Sequence, residues 1–434
     1  MDNREKYREK LHKYIPAGAH TYSRGDDQYP VNAPSILEKG KGVYVWDNDG
    51  NKFLDYGMAL RAVTIGYDHD PISEAAIAEI RKGNNLTRST ITECNAAELI
   101  CNTIPCAEMV KFAKNGSNVT SAAVKLARAY TGRKYVAICA EHPFFTFDDW
   151  FIGSTVMSKG VPQEHVSLTI KFHYNNIESL QKLFDQYPGD IAAVMMEPAT
   201  TEDPKDNFLQ KVQALCNKNG TVFIFDEMIS GFRWDLKGAQ HYYGVTPDIA
   251  TFGKGIANGF SVAALTGKKE IMQLGGILDE GKERVFLLST TYGAEMSGLG
   301  AFIKTVEEYQ RLNVTGHLWK YGAKLISEAN AIAKELGISD YFELGGIPCS
   351  PYYVARNKQK EIDFSFRTLF SQEMIKSGVL MPFIALAYMH QEKEMDITLH
   401  AMRKALKVYA AALENGIDKY LEGRPVKPVF RKFN

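Results

Sequence analysis

The chain carries no surplus charge: Lys and Arg together number 51, as do Asp and Glu, for a formal net charge of zero. Nucleic acids and anionic membranes are recognised by positive excess on one face, so neither is an expected partner. Long apolar runs are also missing. The longest extend only about six to eight residues, against roughly 20 for a membrane-spanning helix. The N-terminal stretch MDNREKYREKLHKYI is helical in pattern but has no apolar centre, which argues against a secretory signal. Cysteine is scarce and unpatterned, with six in all, no C-x-x-C and no His at a zinc-finger offset. Cys94, Cys101 and Cys106 crowd together, but the helical stretch AAELICNTI packs Cys as a small hydrophobe, so no metal is expected. A reduced, cytoplasmic location follows as the expectation. Repeats and low-complexity segments are absent. What remains is a chain of 434 residues with average apolar and charged content, long enough for one large and one small core.

Several apolar runs are strand-like on both faces: YVAICA (135–140), IAAVMMEP (191–198), TVFIFDE (221–227), IATFGK (249–254) and RVFLLST (284–290). Helical stretches such as VTSAAVKLARAYTG and IESLQKLFDQYPG lie between them. This alternation predicts an α/β fold with a mainly parallel sheet and ligand groups at the carboxyl ends of its strands. Upstream, GVYVWDNDGNKFLDY reads as a hairpin turning at Asp49-Gly50. Beyond about residue 320, long helices flank short strands. The expected organisation is an N-terminal segment (1–60) that joins the small domain, a large α/β domain (61–320), and a small C-terminal α+β domain (321–434).

Two tempting motifs fail. Gly276-x-x-x-x-Gly281-Lys282 is followed by Glu283, where a phosphate loop needs Ser or Thr. GKGIANG (253–259) lacks the spacing that lays a pyrophosphate on a helix. His142 and His390 stand apart from other metal-ligand types and read as structural.

Three strand ends carry chemistry. Lys254 directly follows the apolar run IATFG; a lysine there is costly to desolvate, and burial disfavours its ammonium and leaves the amine nucleophilic, unless it reaches the surface. Asp226 closes TVFIFDE, where it can hold a proton on a ring nitrogen or cap a following helix. Lys114-Asn115-Gly116-Ser117-Asn118 is a small-residue turn opening a helix, which can cradle a phosphate or serve as an ordinary cap. Together, an amine, an acid and an anion cup match the needs of one cofactor, pyridoxal 5'-phosphate.

The stretches FIFDEMISGFR and GVTPDIATFGKGIANGF resemble the class III pyridoxal-phosphate-dependent aminotransferases, most closely their glutamate-1-semialdehyde aminomutase branch. The resemblance runs from IPAGAHTYSR through KGKGVYVWDNDGNKFLDYG, NGSNVTSAAVKLARAYTGR and MEPA to LSTTYGAE. It implies the aspartate-aminotransferase-like fold (fold type I), with Lys254 as the Schiff-base lysine and Asp226 as the partner of the pyridine nitrogen. It also implies Gly116, Ser117 and Asn118 as the phosphate cup and Glu197 near the ring. Thr290 would reach the phosphate of a neighbouring protomer in a homodimer, and Arg24 would bind a substrate carboxylate.

The departures are informative. The family's cup reads Ser-Gly-Thr/Ser-Glu, whereas this chain has Asn-Gly-Ser-Asn. Its ring-stacking Tyr-His-Gly aligns with Pro143-Phe144-Phe145, leaving Phe144 as the aromatic platform. A Trp of the semialdehyde enzymes falls near Leu60-Arg61, and their C-terminal strand and loop is shortened around LMPFIALAYMHQ. Both changes open the substrate side and make it more polar. The expected activity is amino transfer from a donor such as glutamate to a polar carbonyl acceptor, a keto-sugar or sugar acid held by Arg24, Arg61 or Arg88. Intramolecular transfer, as in the aminomutases, is the alternative.

Overall fold

A computed structural model describes residues 3–142 and 146–433 of the protein. They form two compact units, Met1–His69 with Gly316–Val429, and Asp70–Thr315 with Phe430–Asn434.

In the first unit, β1 (Leu37–Lys41), β2 (Tyr44–Asp47) and β3 (Lys52–Asp55) run antiparallel, and the short strand Val379–Leu380 pairs parallel to β3. The turn expected at Asp49-Gly50 connects β2 and β3. Its organiser is Asp47, whose Oδ1 accepts the N–H groups of Asp49 and Asn51 at 3.0 and 2.8 Å.

The second unit is built on β4 (Met109–Ala113), β5 (Tyr135–Cys139), β6 (Thr169–Phe172), β7 (Ile191–Met196), β8 (Val222–Asp226), β9 (Ile249–Phe252) and β10 (Ala263–Gly267). Their order across the sheet is β4-β10-β9-β8-β7-β5-β6, with β10 antiparallel to both its neighbours and the rest of the ladder parallel. Every residue of β7, β8, β9 and β10 is buried, as a sheet covered on both faces requires. The helix Gly116–Thr131 covers part of one face. Its Val119, Ala122, Ala123, Leu126 and Ala127 recur at helical spacing and are buried in the same cluster as Ile224, Ile249 and Ala263. It ends at Gly132, which adopts φ +67° and donates its N–H to the Arg128 carbonyl.

The strands expected at 135–140, 191–198, 221–227 and 249–254 are present, each ending within a few residues of the expected position. The one expected at 284–290 is not: RVFLLST has no strand, and Phe286 is 69% exposed, so the run lacks the two-sided burial it was read to have. Three strands of this sheet went unforeseen. MVKFA (β4) and TIKF (β6) are only partly buried, and AALTG (β10) is too rich in small residues to stand out as β-branched.

Two enclosed histidines give the fold a defined response to acid. In the first unit His390 stacks on Tyr56 with centroids 4.3 Å apart, accepts the Ala387 N–H on Nδ1 at 3.0 Å, and places Nε2 3.2 Å from the Asp55 carbonyl. In the second, His142 is 2% exposed. Burial depresses His390 to about 3 and His142 to about 4. Unfolded imidazoles bind protons near 6.5, so below that pH the unfolded state binds more and stability falls. These two histidines therefore contribute a decline in the urea midpoint from pH 6.5 toward 4. His390→Gln should cost about 1–3 kcal/mol at pH 8 yet flatten that decline. Parallel pH profiles for wild type and variant would contradict the assignment.

Candidate active site

Parallel strands that end together deliver their following residues to one edge. The edge formed by the carboxyl ends of β4, β5, β7, β8 and β9 carries Lys114-Asn115-Gly116, Glu141-His142, Glu197, Asp226 and Gly253-Lys254. In register, Asp226 lies opposite Thr251, three residues before Lys254. Asp226 is 3% exposed, and its Oδ1 accepts the Met228 N–H at 2.9 Å and the Thr251 hydroxyl at 3.4 Å. Burial pushes its carboxyl up to about 6, while the nearby Lys254 ammonium and these two donors pull the other way. Lys254 opens a short 3₁₀ turn, Lys254–Ala257, with φ +45°, a left-handed conformation that a residue with a Cβ adopts at a cost.

The expected cup is a helix N-terminus with its own cap. Asn115 Oδ1 accepts the Asn118 N–H at 3.0 Å, so that amide is engaged within the chain. The amides of Gly116 and Ser117 have no acceptor among the described residues. They sit at the positive end of a 16-residue helix. Met228 closes the floor beneath: a Cβ on Gly116 would lie 3.2 Å from its sulfur, and one on Gly253 would lie 2.6 Å away. The sequence hinted at Met228 only through small residues at 116 and 253.

Glu197 is buried and its N–H donates to His142 Nδ1 at 3.0 Å. That contact fixes His142 as the Nε2–H tautomer, and Nε2 is buried without an acceptor among the described residues. Within them His142 is half satisfied, where a satisfied structural histidine was expected. Glu227, next to Asp226, is wholly buried and was not foreseen. It accepts from the Ala239 and Gln240 amides, the Gln240 side chain and Ser230, and pins the 238–240 corner. Burial raises it to about 7 despite those donors.

Of the other expected residues, Thr290 sits in a turn closed by Gly293 N–H to its carbonyl at 3.1 Å. Arg88 is exposed in the second unit. Phe144 lies outside the described residues. Arg24 and Arg61 belong to the first unit. Arg61 Nη1 donates to Ser350 Oγ at 2.7 Å, and its guanidinium lies 5.3 Å from the Phe383 ring centre.

Arg61 ends an unusual turn. Met58, Ala59, Leu60 and Arg61 have φ of +39°, +49°, +61° and +69°. Four left-handed non-glycine residues cost on the order of 4–8 kcal/mol. Asp55 and Tyr67 offset this. The Asp55 carboxylate accepts the Gly57 and Met58 amides at 2.7 and 3.0 Å and the Tyr67 hydroxyl at 2.7 Å, and that hydroxyl accepts the Ala59 N–H at 2.8 Å. Charge-assisted bonds contribute roughly 1.5–3 kcal/mol each, enough to hold the turn.

The profile of the class III aminotransferases matches residues 25–347. The chain belongs to this family. It is 31% identical over 408 residues to a 3-aminobutyryl-CoA aminotransferase of Cloacimonas acidaminovorans, covering 92% of this chain and 95% of that one. It is 30% identical over 430 residues to a glutamate-1-semialdehyde 2,1-aminomutase of Clostridium acetobutylicum, covering 93% and 100%. Among solved structures, the pyridoxal-phosphate internal aldimine form of the FumI protein of Sphingopyxis sp. MTA144 superposes with a TM-score of 0.86 at 24% identity, covering 98% of each chain. An omega-transaminase from Sphaerobacter thermophilus gives 0.81 at 23%, covering 95% and 98%. The fold is therefore that of the fold type I pyridoxal-phosphate transaminases, and the cofactor is pyridoxal 5'-phosphate.

The donor set suits that cofactor. Two open amides at a helix N-terminus suit a phosphate, a buried carboxylate suits a protonated ring nitrogen, and an amine follows the next strand. Asp226→Asn should weaken cofactor binding at least about tenfold, read by absorbance titration of the apoprotein. Unchanged affinity would remove Asp226 from the site. Tyr67→Phe should cost about 2–4 kcal/mol in urea unfolding, because it strips one bond from Asp55 and one from the Ala59 amide. A cost below about 0.5 kcal/mol would show that the turn needs no clamp.

Proposed function

We propose that this class III enzyme is an aminotransferase that moves an amino group from an amino-acid donor, glutamate being the first to test, to a separate polar carbonyl acceptor such as a keto-sugar or sugar acid. The supporting observation is the convergence of Lys254, Asp226 and the Gly116–Ser117 amides on one sheet edge. When bound, the cofactor supplies an electron sink for charge that develops on the substrate carbon. Asp226 holds a proton on the atom it faces, since an opposite charge within bonding range shifts a pKa by about 1–3 units. Lys254 Nζ takes and returns the substrate proton, a role worth roughly 10²–10⁴ in rate. The Gly116 and Ser117 amides orient the anionic end.

The polar-acceptor part of the reading rests on Arg61, presented by a left-handed turn and braced by Ser350, and on Arg24 in the same unit. We further infer a homodimer in which Thr290 serves the partner's site. Support comes from the neighbouring surface, where Ile277, Leu278, Phe286 and Tyr292 are all exposed, an apolar stretch suited to burial against a second copy.

Holoenzyme incubated with ¹⁵N-glutamate and a panel of carbonyl acceptors tests the reading. The expected result is loss of the cofactor's visible band with glutamate, and its return with label in a sugar-derived amine. Retention of the label in glutamate, with isomerisation of glutamate-1-semialdehyde that takes up none of it, would instead assign intramolecular transfer. Lys254→Ala should reduce turnover by at least about 100-fold.

A further inference from the structure

The largest cavity among the described residues, about 960 Å³, lies within the first unit, and one of its walls is the left-handed turn. Gly57, Ala59 and Leu60 line it together with Asp55 and Tyr67, the two groups that hold the turn in shape. The base of this arrangement is fixed. Asp55 ends β3, its N–H donating to the Val43 carbonyl at 2.8 Å on one side and its backbone paired with Leu380 on the other. The turn itself is not a conformation that Met, Ala, Leu and Arg adopt unaided, so it persists only while its bonds outweigh its strain.

Three of the four clamping bonds end on the Asp55 carboxylate, and the fourth, from the Ala59 N–H, ends on the Tyr67 hydroxyl that donates to it. Oδ2 alone takes both the Met58 N–H and the Tyr67 hydroxyl. An ionised carboxylate accepts strongly at both oxygens; once protonated it accepts more weakly and carries a hydrogen of its own to place. Protonation therefore removes two costs together, the buried charge and, by loosening the clamp, the strain. The ionisable groups that face Asp55 are the Tyr67 and Tyr29 phenols, Arg24, which acts on both, and His390 at its main-chain carbonyl. Burial pushes both phenols up and holds His390 down to about 3, so Asp55 is the one among them that changes charge as pH falls from neutral. Burial also raises Asp55 above its usual 3.8, against the pull of its three donors. The stability that this shift contributes is complete below 3.8 and lost as pH rises through the folded value. Acid thus neutralises Asp55 without favouring the unfolded chain.

We propose that the Met58–Arg61 turn is a two-state element latched by the Asp55 carboxylate: with Asp55 ionised the turn is left-handed and walls the cavity, and when Asp55 takes a proton the turn relaxes and the wall moves. Tyr67 is the second half of the latch, tying Ala59 to the same carboxylate. The shape of the cavity, and the placement of Arg61 at Ser350, then answer to pH through one buried carboxyl. Neither depends on which acceptor the enzyme takes.

Hydrogen exchange of the holoenzyme from about pH 8 to about pH 4, read by mass spectrometry on peptides that span the turn and corrected for intrinsic exchange, tests it. Toward acid, protection of the turn should fall at least about tenfold further than that of the helix Glu392–Asn415, with a midpoint above 3.8. Asp55→Asn should leave the turn weakly protected at every pH, with no such extra fall. Tyr67→Phe keeps the charge but loses a bond that favours it, so its fall should come at higher pH than in wild type. That second variant carries the test where Asp55→Asn does not fold. Turn protection that follows the helix throughout, a wild-type fall in Asp55→Asn, or an unmoved midpoint in Tyr67→Phe would overturn the proposal.

Discussion

A buried acid and a half-buried amine held at neighbouring strand ends constrain everything else at this edge. A buried carboxylate is expensive unless charge or hydrogen bonds compensate it. Asp226 has Met228, Thr251 and the field of Lys254, and burial still leaves its carboxyl raised. That imbalance is a stability cost that a further cation facing the carboxylate would remove, as a site suited to a protonated ring would show. The all-buried strands β8 and β9 make the cost bearable. Their packing fixes the register that sets Asp226 opposite Thr251 and sends Lys254 three residues further on.

The same logic separates what could be read from sequence from what could not. The β5, β7, β8 and β9 runs were legible because a strand covered on both faces must be apolar throughout, and the acid or lysine that interrupts each run marks the sheet's rim. RVFLLST shows the limit: the same composition was read as a strand, but Phe286 is exposed and the segment forms none. Composition cannot distinguish an apolar run covered by its own fold from one left at the surface. Lys254, Asp226 and the cup stood out because each breaks a pattern locally. Met228 and Glu227 did not, because their roles come from contacts made with distant parts of the chain.

Backbone strain tells a related story in the first unit. Nothing in MALR suggests four left-handed residues, since none is Gly, Asn or Asp. The conformation is imposed by Asp55 and Tyr67, one residue before the turn's Gly57 neighbour and one well after it, acting through four hydrogen bonds. Where local propensity and structure disagree this strongly, the disagreement is sustained by bonding and is concentrated at positions with work to do. Here the turn delivers Leu60 to the cavity wall and Arg61 to Ser350.

The altered cup can be understood in the same terms. The family's acid at the cup is absent, with Asn118 in its place, yet an acid stands nearby from another segment. Glu295 pairs with Lys114 at 2.7 Å and also accepts from Asn84. The lysine beside the cup lowers the Glu295 carboxyl below its usual range. A free Lys114 would add a full positive charge next to the anion site, but as half of a partly buried pair it contributes little net field. The Gly116 and Ser117 amides and the helix dipole are then what the turn offers an anion, and the Lys114–Glu295 bridge ties the 290–298 segment to the start of the helix that bears them. Glu295 thus braces the start of the helix through Lys114.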